Sequence, residues 1–142
     1  MKAKSYLERI ELMDTRINTR LQELGMLYAL ATKTSAVLGG DRVQSFGSQQ
    51  KMADSVSKIV DTKKTINAEI DGFVNYKQEA LQTMDEYCDS DSIKLLYARY
   101  FQYKTWEQIA VELNYTYKWV SGGLHQRALM QIQKGLDERK GA

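Results

Sequence analysis

The chain has 142 residues, with 20 Lys and Arg against 18 Asp and Glu, a net charge of +2. That excludes a strongly basic wrapping protein and an acidic tail protein, and leaves a local basic face open. One cysteine and one histidine exclude an intrachain disulfide and a Cys-based zinc site, and would hang any Cys–His or Ser–His catalytic pair on one residue. No apolar run approaches the roughly 18 residues that a membrane span needs. The opening Met1–Arg9 becomes charged again at once, which does not fit a signal peptide. A reduced, cytoplasmic setting is expected. Proline is absent, so nothing interrupts long helices.

In chain order, the first element is a heptad seam: Leu7, Ile10, Asp14, Ile17, Leu21, Leu24, Tyr28 and Ala31 follow steps of three and four. Such a seam needs a partner helix to cover it. A second seam runs from Met52 through Ile59, Ile66, Phe73, Ala80 and Met84 to Tyr87. At 1.5 Å per residue, that helix would be on the order of 50 Å long. Residues 32–49 hold Gly39, Gly40 and Gly47 among Ser and Gln and read as a mobile loop. Two helices so joined fold back antiparallel, which puts Leu7 near Lys77, Ile10 near Phe73 and Leu24 near Ile59. Asp14, Lys63 and Lys77 are polar seam positions. They either reach out of the seam or pair across it, or they select register and oligomer state.

Composition changes at Cys88-Asp-Ser-Asp-Ser92. Asp or Ser there can cap a helix carrying Ile93, Leu96, Tyr97 and Tyr100. Thr105 is a candidate N-cap for a helix with Trp106, Ile109, Ala110 and Leu113. Asn114-Tyr115 interrupts, and Thr116 can cap a last helix with Val120, Leu124, Ala128 and Ile132 on its apolar face, which Gly135 would end. The expected fold is all-α. A long antiparallel helical hairpin over residues 1–88, with helices at about 5–31 and 50–87, precedes a helix-turn-helix unit over residues 89–142.

Residues 105–132 have the helix-turn-helix pattern: a short helix with the small Ala110 at its crossing point, a tight turn, and a capped second helix. This geometry presents the second helix to the DNA major groove. From Leu113 to Leu136 there is no Asp or Glu, while Lys118, His125, Arg127 and Lys134 fall inside. A helix meant for phosphates and base edges avoids carboxylates, because DNA repels them.

Thr105-Trp-Glu-Gln-Ile-Ala through Leu124-His-Gln-Arg-Ala-Leu resembles the C-terminal, −35-reading region of sigma factors, and Ile93–Phe101 resembles the helix leading into it. Over roughly residues 5–135, with the opening Tyr6-Leu-Glu-Arg-Ile10, the chain is similar to a family of small regulators encoded by phages and prophages of Gram-positive bacteria. The resemblance implies a transcriptional regulator that binds promoter DNA through its helix-turn-helix, with the hairpin used for self-association or for contact with bacterial RNA polymerase. It implies that Tyr117, Lys118, Ser121 and Gly122 face base edges and that Arg127 and Lys134 contact phosphates. Gly122-Gly123 departs from the polar or basic pair usual there. Either the helix frays at that point or the backbone approaches DNA closely.

His125 reads as a phosphate or base contact, or as a solvent-facing or inter-helix residue. Trp106 and Trp119 read as packing residues, with Trp119 able to lean on the DNA backbone. Cys88 reads as a partly buried residue at a helix junction. The carboxylates are scattered and no phosphate loop is present, so no enzyme, cofactor or metal is expected. Two other classes share the pattern: a small terminase-like packaging subunit, and a module that mimics a sigma region and binds protein alone.

Overall fold

The computed structural model describes the backbone of residues 2–40 and 46–141, and the side chains of residues 2–33 and 50–141. Among the described residues the chain is all-α. Helix α1 spans Ala3–Gly40, α2 Phe46–Tyr87, α3 Ser90–Leu96, α4 Trp106–Leu113 and α5 His125–Gly141. Two wider π-helical turns, Tyr97–Phe101 and Trp119–Leu124, continue α3 and lead into α5.

The caps follow the sequence. Asp89 accepts from the Ser92 amide at 2.9 Å and starts α3. Thr105 forms a full capping box with Gln108, satisfying two otherwise unpaired donors of α4. Asn114 closes α4 in the left-handed region at φ 59°, a conformation asparagine tolerates. The Thr116 hydroxyl accepts from the Trp119 amide at 3.2 Å and starts the last helical stretch. Gly135 does not end that stretch; α5 continues to Gly141. The missing Cβ serves packing instead. A Cβ there would lie 2.7 Å from the Tyr87 ring and 2.9 Å from Thr83 Cγ2.

The chain divides into two compact units, residues 1–13 with 73–142, and residues 14–72. A boundary at residue 88 is therefore not where the packing divides: the ends of both hairpin helices belong with the C-terminal helices. In the first unit, Leu7, Ile10, Met84, Leu95, Leu96, Ile109, Leu124 and Ile132 are fully buried in one core, with Phe73 packed against it. Each such side chain contributes about 1.5–3 kcal/mol by leaving water. Polar ties join the first turns of α1 and the last turns of α2. Tyr76 donates its hydroxyl proton to the Tyr6 carbonyl at 2.7 Å. Further ties reach α5: the Ala3 amide to Gln133 at 2.7 Å, Tyr87 to Glu138 at 2.6 Å, and Arg139 to Glu79 at 3.1 Å. Lys77, a polar seam residue, lays its ammonium over the Phe73 and Phe101 rings.

The second unit consists of the facing stretches of α1 and α2. Its helices are antiparallel, with Arg20 bonded to Glu69 at 3.1 Å and Lys63 over the Tyr28 ring at 5.2 Å. Ile17, Ile59 and Ile66 are buried. Leu21, Tyr28, Met52, Val56 and Ile70, on the same seams, stay exposed, because one partner helix covers only part of each stripe. Helix also extends further than expected. Residues 32–40 and 46–49 of the expected loop are helical, and residues 41–45 lie outside the described residues.

Candidate functional site

The helix-turn-helix is built by α4, the turn at Asn114–Tyr115 and the helix that Thr116 caps. Ile109 and Ala110 on α4 and Val120 and Leu124 on the second helix are buried, which fixes the angle at which the second helix is held. Its opposite surface begins with Tyr117, Lys118 and Trp119, all exposed. Lys118 has no hydrogen-bond or ion-pair partner among the described residues. Ser121 and Gly122 are half-buried, less open than the resemblance implies. The Ser121 hydroxyl donates to the Tyr117 carbonyl one turn back at 2.8 Å. Its proton is committed to the backbone and its lone pairs remain.

For His125 the reading as a phosphate or base contact is corrected, and the inter-helix reading holds. It is buried within the first unit, where its Nε2 shares a 2.7 Å hydrogen bond with the Tyr100 hydroxyl. The Trp106 ring meets it edge-on at 4.7 Å, and Arg99 lies over that indole at 4.4 Å. Burial, then the positive charges of Lys4 and Arg99, push the imidazole down to about 4. Burial likewise pushes Tyr100 up to about 12. A side chain so enclosed cannot touch a phosphate or a base. One turn of helix separates it from Ser121, and the inward face carries Val120, Leu124 and Ala128 with it.

Arg127 and Lys134 are exposed, but Arg127 is engaged. Its Nε lies 3.3 Å from Asp89, and Gln131 donates to the same carboxylate at 2.8 Å. The Gln131 bond and the Ser92 amide hold Asp89 down at about 2. Tyr115 donates to Asp91 at 2.7 Å. So the carboxylate-free stretch is not carboxylate-free in space. The first turn of α3 brings Asp89 and Asp91 to it, and a sequence separation of 38 residues hid that contact. Lys134 lies among Gln133, Asp137 and Glu138 on α5, a position of mixed charge.

The two adjacent glycines have different surroundings. A Cβ on Gly123 would overlap the six-membered ring of Trp119, while at Gly122 it would meet nothing within 4 Å. Each glycine inside a helix costs about 1 kcal/mol relative to alanine, so only Gly123 is offset by a contact within the chain. Sequence reasoning saw the pair but not the ring lying on one of them, since spacing does not say which side-chain conformation Trp119 takes. Cys88, by contrast, is half-buried as expected, and burial pushes its thiol up to about 11. Among the described residues no cluster of three His, Cys, Asp or Glu is placed to hold a metal ion, and no helix is long and apolar enough to cross a membrane.

No family model, no curated protein and no solved structure matches this chain.

Proposed function

We propose that the protein is a DNA-binding transcriptional regulator of the kind phages and prophages carry, acting by binding and recruitment without catalysis. The observation that carries this reading is the surface of the second helix-turn-helix helix. Exposed Tyr117, Lys118 and Trp119 head a helix with no carboxylate of its own from Leu113 to Leu136. Phosphate binding needs such a face, because each lysine that neutralises a phosphate releases counterions and each carboxylate opposes it. Arg127 contributes when a phosphate draws it from Asp89. Lys134 extends the cationic row weakly, with Asp137 and Glu138 beside it.

The exposed seam residues of the two-helix unit suit a protein partner, either a second copy or the host RNA polymerase. The same seam also fits the packaging-subunit reading, which a ring of many copies in solution would favour. Retained polymerase binding with no duplex binding would favour the sigma-mimicking module.

The test is affinity against salt for a pool of random-sequence duplex DNA, with wild type and Lys118→Glu. The variant should bind all sequences more weakly, with a flatter dependence of log affinity on log salt. Ser121→Ala should shift sequence preference more than overall affinity. Coincident curves for folded wild type and Lys118→Glu would remove this helix as the DNA-reading element.

A further inference from the structure

Trp119 is an exposed aromatic seated over a glycine one turn later. Its six-membered ring occupies the space that a Cβ on Gly123 would fill, yet the side chain remains 41% exposed and belongs to no buried core. A tryptophan that served packing alone would be covered. One that merely projected into water would not need a glycine one turn later. The helix thus gives up a side chain to seat an indole against it without hiding it, and a contact group already in place binds at lower entropic cost.

The neighbouring row repeats the spacing with a different outcome. Lys118 is exposed and unpaired among the described residues, and one turn later comes Gly122, around which there is open space. Lys118 and Trp119 therefore stand side by side, each followed one turn on by a glycine. At Gly122 the backbone is bare, with nothing within 4 Å of where a Cβ would stand, which leaves a notch one turn after the cation. The helix brings no carboxylate of its own, and the two acids at the start of α3 are engaged, Asp89 by Arg127 and Asp91 by Tyr115.

We infer that this notch seats one strand of duplex DNA: Lys118 neutralises a phosphate, the Trp119 indole packs on the adjoining deoxyribose, and Gly122 lets the strand approach the helix backbone. This rests on the DNA-binding reading. It commits Trp119 to the sugar-backbone contact that its sequence position left open beside packing, and gives Gly122 a role as the floor of the contact in place of base reading.

The experiment measures full-length wild type, Trp119→Ala and Gly122→Ala against the same duplex pool over a salt series, with Tm recorded for each. Trp119→Ala should lose roughly tenfold in affinity with the salt slope unchanged, since no charge is lost. A residue acting through fold alone would not separate these two readouts from Tm. Gly122→Ala should keep or raise Tm, because its Cβ meets open space, and still bind DNA several-fold more weakly. It is the deciding variant if Trp119→Ala lowers Tm. Wild-type affinity in folded Gly122→Ala or Trp119→Ala overturns the notch and leaves the DNA-binding reading standing. No duplex binding by wild type at low salt overturns both.

Discussion

The two compact units solve the same problem to different degrees. In the unit of residues 1–13 and 73–142, five helical segments surround one core, and seam residues Leu7, Ile10, Ala80 and Met84 are almost wholly buried. In the unit of residues 14–72, the same heptad pattern continues, yet Leu21 and Val56 remain 47% and 51% exposed. The seam is alike and the cover differs. A helix stripe is satisfied by two or more neighbours, and the second unit has one. A heptad pattern therefore states a demand for cover and does not say that the chain itself meets it.

The largest expected effect lies in the closed core. Leu124→Ala should cost about 2–5 kcal/mol in urea denaturation, because the side chain is fully buried and its removal leaves a cavity in the core. Ile66→Asp should cost about 3 kcal/mol by burying an uncompensated charge. Amide exchange should accelerate over residues 50–72 and stay slow around Leu95 and Ile109. Equal acceleration in both places would mean that the two units open as one.

Protonation gives the next effect. His125 titrates at about 4 in the folded protein against roughly 6.5 unfolded. Between those values the unfolded chain binds more protons, so stability is complete above pH 6.5 and falls as pH drops towards 4. The loss should be on the order of 2–3 kcal/mol across that window. Replacing His125 by Gln should flatten this part of the stability profile, and an unchanged slope would show that the imidazole is not the titrating group. Gly135→Ala should be milder, about 1–2 kcal/mol, as Tyr87 shifts and loosens its bond to Glu138. Smallest is Leu21→Ala, below about 1 kcal/mol at a site already half in water. If it instead changes the solution mass, the exposed seam is a contact between copies.

Local signals were written plainly in the sequence. The three-four spacing and the absence of proline determined the all-α fold. Asp89, Thr105, Asn114 and Thr116 marked helix ends, because each cap is closed by a backbone group within a few residues. The inward row Ile109, Ala110, Val120 and Leu124 followed from period alone. What only the tertiary structure decided depends on residues distant in the chain. Gly135 looked like a terminator and proved to be a point of close approach to Thr83 and Tyr87. His125 reads from the sequence as a DNA contact or as a solvent-facing or inter-helix residue, and its burial against Tyr100 decides for the inter-helix one. Arg127, a phosphate contact by the resemblance, is paired with Asp89. The division of packing likewise departs from the composition change at residue 88, because the ends of α1 and α2 are needed to close the C-terminal core. A one-dimensional pattern fixes which face of a helix must be covered, whereas what covers it is set in three dimensions by whichever element arrives there.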